Sequence, residues 1–207
     1  MEQINMNKVW ITGRMVENLK LHHKYGNVRF YESQIVAKRK SGVEDSIIVI
    51  FSEEILQDEI IEGAHLRIKG EFRSRNYPGE DGKRHLYLYC LVREYEILLE
   101  NSENADINNI EFEGYICKKP IYRITFFGRE ITDIMIAVNR SFGRSSYIPC
   151  ILWGRNARKT ANLEIGQKLK LQGRIQSKKY KKKYPGKSTI KEAYEVSISK
   201  MTLLMED

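Results

Sequence analysis

Cysteine is scarce in this chain: Cys90, Cys117 and Cys150 are the only three among 207 residues. They lie far apart and form no CxxC pair, and an odd number argues against a disulfide framework. Each sits in an apolar, strand-like run, so buried thiols are expected. The four histidines, His22, His23, His65 and His85, have no metal-ligand spacing with these cysteines, and neither a metal nor another cofactor is expected. No run of about 18 apolar residues is present to cross a membrane as a helix. The opening MEQINMNKVW lacks the basic-then-apolar order of a signal peptide, so a cytoplasmic location is expected. There is no GxSxG, no Walker loop, no HExxH and no group of carboxylates in a histidine context. An enzyme is therefore the class that the sequence argues against most directly.

What is present is a soluble, globular composition, 42% hydrophobic and 30% charged, with a formal charge of +8. It is also a repeat. EGAHLRIKGEFRSRNY (62–77) resembles IGQKLKLQGRIQSKKY (165–180): Gly63 matches Gly166, Gly70 matches Gly173 and Tyr77 matches Tyr180, each at an offset of 103 residues. Gly13 pairs with Gly114 and Phe51 with Trp153 at offsets of 101 and 102, the drift that short loop insertions produce. The chain is thus two copies of a unit of roughly 100 residues. The first copy is expected over 1–100 and the second over 109–207, with a polar, aperiodic linker at 101–108.

Both copies read mainly as strand. KVWITGRM, RFYESQIVAK, SIIVIF, HLRIKGEF and HLYLYCLVREYEIL in the first correspond to NIEFEGYI, ITDIMIAVNR, YIPCILW, KLKLQGRI and EAYEVSISKMTLL in the second, rich in β-branched and aromatic residues with recurrent alternation. Between the third and fourth strands, SEEILQDEI and RNARKTANL have helical character. Five strands with a short helix in that place is the order of the OB-fold, a small Greek-key barrel. The predicted class is all-β, with two tandem OB-folds. Gly70 and Gly173 fall inside strands, where glycine marks a bulge or tight bend. Trp10, between Val9 and Ile11, is expected to pack in the barrel or at an interface. Phe126 and Phe127, before Gly128 in a hairpin, read either as a stacking pair or as an interface patch.

Charge is divided unequally. Residues 1–105 carry 15 Lys and Arg against 17 Asp and Glu, whereas 106–207 carry 20 against 10, so the net charges are −2 and +10. Attraction for a polyanion belongs mostly to the second copy. In its SSYIPCILWGRNA (145–157), alternation places Ile148, Cys150 and Leu152 on one face and Tyr147, Pro149, Ile151 and Trp153 on the other. The run QSKKYKKKYPGK (176–187) interleaves Tyr180 and Tyr184 with lysines. Cations for phosphates and flat rings for unpaired bases are the combination that holds single strands, each stacked base contributing on the order of 1–3 kcal/mol. In the first copy, RNYPGEDGKRH (75–85) has the Pro, Gly and Asp of a mobile loop, and its Arg75, Lys83 and Arg84, with Arg73 before it, are diluted by Glu80 and Asp81.

The second copy resembles bacterial single-stranded DNA-binding proteins of the OB-fold type. The resemblance rests on AVNRSFGRSSYIPCILWGRNARKTAN (137–162) followed by GQKLKLQGRIQSKKY (166–180), and it spans most of 109–204. It implies stacking of bases on Phe142, Tyr147, Trp153 and Tyr180. Phosphates would fall to Arg140, Arg144, Arg155, Arg158, Lys159, Arg174, Lys178, Lys179, Lys181 and Lys182. The first copy resembles the family less. It keeps two of the four aromatic positions, as Phe51 and Tyr77. The position matching Phe142 falls near Lys40, and that matching Tyr147 near Asp45, an acid on the stacking face, so weak binding is expected there. The resemblance further implies sequence-independent protection of single-stranded DNA in replication, recombination or repair. Two-barrel members of the family pair, which implies a homodimer with four OB-folds. Members that recruit replication proteins end in an acidic tail finishing in Pro-Phe. The sequence MTLLMED lacks that ending, so recruitment by that route is not expected.

OB barrels host many functions. The rival reading is an assembly or regulatory protein acting through protein contacts, with incidental binding of nucleic acid, RNA included. The alternating aromatics and the +10 second copy count against it; the acidic first copy counts for it.

Overall fold

The computed structural model describes residues 5–79, 82–98, 106–184 and 187–205, and leaves undescribed the side chains of 182–184, 187–189 and 191. Glu80, Asp81, most of the expected linker, and the side chains of Lys182 and Tyr184 lie outside it.

The first copy forms β1 (Asn7–Met15), β2 (Lys20–Tyr25), β3 (Val28–Lys38), β4 (Glu44–Ser52), β5 (His65–Pro78) and β6 (Arg84–Leu98). The second forms β7 (Asn108–Ile116), β8 (Ile121–Ile124), β9 (Glu130–Arg140), β10 (Arg144–Trp153), α1 (Gly154–Ala161), β11 (Lys168–Tyr184) and β12 (Lys187–Leu204). In the first, β1 pairs with both β3 and β5, β3 with β4, β4 with β6 in parallel, and β6 with β5, which closes a five-stranded ring. The second ring closes through the same set of pairings. These are two OB barrels. β2 and β8 are sixth strands that the five-strand reading did not include, added outside β3 and β9.

Alternation fills each barrel. Ile11, Ile35, Ile47, Val49, Leu66 and Phe72 are buried in the first, and Phe112, Ile136, Ile148, Leu152, Leu171 and Val196 in the second. Gly70 and Gly173 each sit where their strand slips register against β6 or β12. A Cβ at Gly70 would stand 2.3 Å from the carbonyl oxygen of Leu91, and one at Gly173 2.2 Å from that of Ser197. The bend that closes each barrel therefore needs a residue with no side chain. Cys90 and Cys150 are buried, Cys117 is half-buried, and all three are free thiols. Burial pushes Cys90 up to about 12.

α1 matches the helix expected in the second copy. It packs against β9, β10 and β8, with Ala157 and Thr160 buried and the Ala157 carbonyl accepting from Thr132 Oγ1 at 2.8 Å. The first copy differs. SEEILQDEI forms only a 3₁₀ turn, Glu53–Ile55. Ile55, Leu56 and Ile60 all pack on the core. The Tyr95 hydroxyl accepts from the backbone N–H of Gln57 (3.1 Å) and Asp58 (3.4 Å), drawing donors away from a helical ladder.

β1 also pairs antiparallel with β7, Val9 opposite Ile110, so the barrels share one twelve-stranded sheet. Pseudo-twofold contacts reinforce this seam. Ser74 Oγ accepts from the Tyr147 N–H at 2.6 Å, while the Ser74 N–H donates to Ser146 Oγ at 3.3 Å. In the mirrored place Ser177 Oγ accepts from the Ser46 N–H at 3.0 Å. Beside the undescribed linker residues, Asp106 accepts from the Lys38 N–H at 2.8 Å and from Thr12 Oγ1 at 3.2 Å.

Candidate nucleic-acid interface

The outer face of the second barrel is built by β9 and β10. Tyr147 stands opposite Ala137, Pro149 opposite Met135, Ile151 opposite Asp133 and Trp153 opposite Ile131. Trp153, at the end of β10, is 37% exposed, and its indole N–H donates to Ser197 Oγ at 3.2 Å, which fixes the ring plane. Tyr147 is anchored through its backbone to Ser74 of the other barrel and leaves its ring 41% exposed. The alternation reading needs one amendment on this face: Ile151 and Ile131, of outward parity, are buried.

Phe142 caps the β9–β10 hairpin, 86% exposed, with a φ of 62° that non-glycine residues rarely adopt. Tyr180 is exposed on β11. Phe126 and Phe127 are exposed at the β8–β9 turn, edge to face at 5.5 Å. Trp10 is half-buried on the outward side of β1, opposite Lys69 and Asn109.

Of the expected phosphate ligands, Arg144, Arg155, Lys159, Lys179 and Lys181 are exposed. Arg158 and Lys178 are exposed too, but they already face carboxylates, Glu130 at 2.5 Å and Glu195 respectively. Arg174, on β11, is held below its usual range by burial and then by the charge of Arg39, against Asp45. Arg140 is half-buried at the end of β9. Between the β5–β6 hairpin and the second barrel lies a cleft of about 380 Å³ lined by Asn76, Arg84, Leu86, Lys118, Met135 and Tyr147.

Two expectations for the first barrel are corrected. Phe51 is not a stacking residue: it is wholly buried, edge to face with Tyr95 at 5.7 Å. The parallel pairings set Val49 against Cys90 and Cys150 against Val196, so β4 and β10 correspond at an offset of 101. Phe51 then matches the core residue Leu152, and Ser52 matches Trp153. A slip of one residue exchanges the faces of a strand. The same slip misplaced Asp45. It is buried rather than on a stacking face, and it accepts from Arg39 Nε (2.6 Å) and Nη2 (2.5 Å).

Tyr77 remains exposed on β5, and it has neighbours that the sequence reading passed over. On the outward side of the β5–β6 hairpin, Arg73 pairs with Tyr89, Arg75 with Tyr87 and Tyr77 with His85. The Arg75 guanidinium lies 5.1 Å from the centre of the Tyr87 ring, and His22 stacks on that ring at 5.8 Å. The Tyr87 hydroxyl donates to Glu32. Burial, then that bond, push the phenol well above its ordinary range. The signal was HLYLYC, with His85, Tyr87 and Tyr89 at period two.

Two closed barrels on one sheet, with aromatic and cationic outer faces, define a tandem OB-fold protein. The single-strand binding protein family model matches residues 107–204. The chain is 34% identical over 80 residues to single-stranded DNA-binding protein B of Bacillus subtilis (strain 168), covering 35% of this chain and 71% of that one. It is 31% identical over 84 residues to the single-stranded DNA-binding protein of Clostridium tetani (strain Massachusetts / E88), covering 37% of this chain and 58% of that protein. The wild-type single-stranded DNA binding protein from Thermus aquaticus has the same fold across 99% of this chain and 96% of its own, with a TM-score of 0.77 at 15% identity. The chain belongs to the single-strand binding protein family.

Proposed function

We propose that this protein binds single-stranded DNA without sequence preference, through bases stacked on Trp153, Tyr147, Phe142, Tyr180 and Tyr77 and phosphates neutralised by the arginines and lysines around them. The observation that carries the reading is the outer face of the second barrel, where Tyr147 and Trp153 present part-exposed rings on one strand, the Trp153 indole held by Ser197 and the Tyr147 backbone by Ser74. Exposed Arg144, Arg155 and Lys159 flank that strand. Rings held this way select unpaired bases, because duplex stacking hides the base faces. Covering single strands during replication, recombination or repair inside the cell is the role this chemistry suits. It calls on binding groups alone and on no catalytic group.

The units proposed are residues 1–100 and 109–207. A homodimer with four barrels is also proposed. Its support is the outward face of the shared sheet, where half-buried Trp10 stands near ion pairs of both signs, Lys69–Glu94 (2.7 Å) and Lys170–Glu111 (3.0 Å). Sedimentation velocity reads the assembly.

The test of function is a tryptophan fluorescence titration with oligo-dT and with duplex, at low and moderate salt. Saturable quenching by the single strand, a weak duplex response and an affinity that falls with salt are expected. Trp153→Ala is expected to weaken binding by about 1–3 kcal/mol with the far-UV spectrum unchanged. Equal binding of duplex and single strand would reduce the surface to plain charge attraction.

A further inference from the structure

Two guanidiniums clasp one carboxylate near the seam, and two more, Arg140 and Arg144, approach from the other barrel. Glu71 of β5 accepts from Arg73 Nε (3.0 Å) and Nη2 (2.7 Å) through one oxygen. Through the other it accepts from Arg93 Nε (2.8 Å) and Nη2 (2.7 Å). Burial alone would raise the Glu71 carboxyl, but the bonds and charges of Arg73 and Arg93 outweigh it and hold the group ionised, below its ordinary range. Arg140 reaches this cluster from the other barrel. Burial first, then the charges of Arg73 and Arg144, press its guanidinium below the usual arginine range, with Tyr89 and Glu71 opposing them. Its Nε is buried and has no hydrogen-bond partner among the described residues.

Arginine stays charged in proteins. A single carboxylate therefore leaves the group with three positive charges in excess, with Arg73 and Arg140 partly withdrawn from water and Arg93 and Arg144 exposed. Such crowding costs folding energy and does not stabilise the seam; it is the arrangement of a site prepared for an anion. The hairpin beside it alternates cations and rings: Arg73 with Tyr89, Arg75 with Tyr87, Tyr77 with His85. An isolated anion would need the arginines alone. A strand with a base every phosphate would use both.

We propose that Arg73, Arg140 and Arg144 form a phosphodiester site at the seam between the barrels, occupied by the backbone of bound single-stranded DNA, with Tyr89 stacking an adjoining base. Glu71, which accepts from Arg73 and Arg93, offsets one of the four charges and competes with the phosphate for these guanidiniums. The site rests on the single-strand reading and extends it to the first barrel, where the two missing aromatic positions and an acid expected on the stacking face pointed to weak binding.

The experiment titrates the full chain with oligo-dT at several salt concentrations. It compares Arg140→Ala, Arg73→Ala, Tyr89→Ala and Glu71→Gln with Arg29→Ala, a control that removes an exposed cation paired with Glu53. Arg140→Ala and Arg73→Ala are expected to lower affinity on the order of tenfold and to flatten the salt slope by about 0.7, the share of one phosphate on a single strand. Tyr89→Ala is expected to lower affinity with the slope kept. Glu71→Gln, which frees one more positive charge, is expected to tighten binding, and Arg29→Ala to change neither quantity. Unchanged affinity and slope in both arginine variants overturn the proposal, as does weaker binding by a Glu71→Gln protein that melts like the parent. If either arginine variant does not fold, photocrosslinking of the unmodified protein to 5-iododeoxyuridine oligomers decides: adducts on Tyr89 support the site, and adducts confined to the second barrel overturn it. Failure of the unmodified protein to bind single strands saturably is separate from these results and removes the functional reading itself.

Discussion

Phe142 holds a left-handed backbone at the tip of a hairpin, φ 62°, next to Gly143 at the same angle. For a residue with a Cβ this costs roughly 1–2 kcal/mol. Asparagine tolerates the conformation, so Phe142→Asn is expected to raise the melting temperature while weakening binding to oligo-dT. Thermal melts and titrations of one variant would then move in opposite directions, the pattern of strain retained for a function. At this scale much was legible and the errors have a definite origin. Period-two alternation placed Ile148, Cys150 and Leu152 inside and Tyr147 and Trp153 outside. The same rule failed at Phe51 because the repeat was matched one residue out of step, and in a strand one residue exchanges core for surface. Ile151 shows the limit of parity: outward direction alone does not make a residue accessible. Arg73, Arg140 and Arg144 were each visible as cations, but their meeting near Glu71 was not legible, since they come from distant positions in both copies and only the seam brings them together.

Among the elements, the closing strands of the two barrels bend at equivalent glycines, and there the sequence was a good guide. Gly173→Ala would force a methyl against the Ser197 carbonyl, 2.2 Å away. It is expected to destabilise by about 1–3 kcal/mol, read as a lower urea midpoint. The helix expected in the first copy was the weaker inference. Its residues have helical propensity, but the Tyr95 hydroxyl takes the N–H groups of Gln57 and Asp58 while Ile55, Leu56 and Ile60 pack on the core, and tertiary contacts override propensity. β2 carries a pH dependence. His22 and His23 are both held below their ordinary range, by burial first and by Arg75 second, while Glu32 opposes this at His22. Their neutral forms are favoured in the fold. Stability from β2 is therefore complete above about pH 6.5, the unfolded value, and declines as pH falls from there through the folded values. Urea midpoints measured between pH 7 and pH 5 are expected to fall, and to fall less in a His22→Gln protein.

For the whole molecule, the pairing of β1 with β7 makes one hydrogen-bonded sheet of two barrels, and the serine contacts tie each β-hairpin to the opposite barrel. A single cooperative transition is expected in calorimetry, with calorimetric and van't Hoff enthalpies equal; two resolved transitions would show barrels that melt separately. The charge difference between the copies was plain in the sequence, but what it meant was not. The acidic copy neutralises much of its own charge in ion pairs such as Arg67–Glu96 and Lys69–Glu94, at the opposite end of the β5–β6 hairpin from its rings. Its net charge was a poor guide to what that hairpin presents.

The seam joins two halves of one chain rather than two copies, and so it escapes the rule that an isologous interface must present the same residue on both sides. Asp45 in one half stands where Ser146 stands in the other, Ser52 where Trp153 does, and Glu71 where Arg174 does. A nucleic-acid strand has direction, 5′ to 3′. Across a symmetric pair its two orientations are equal in energy; across this one they are not, so the protein can distinguish the ends of the strand it holds.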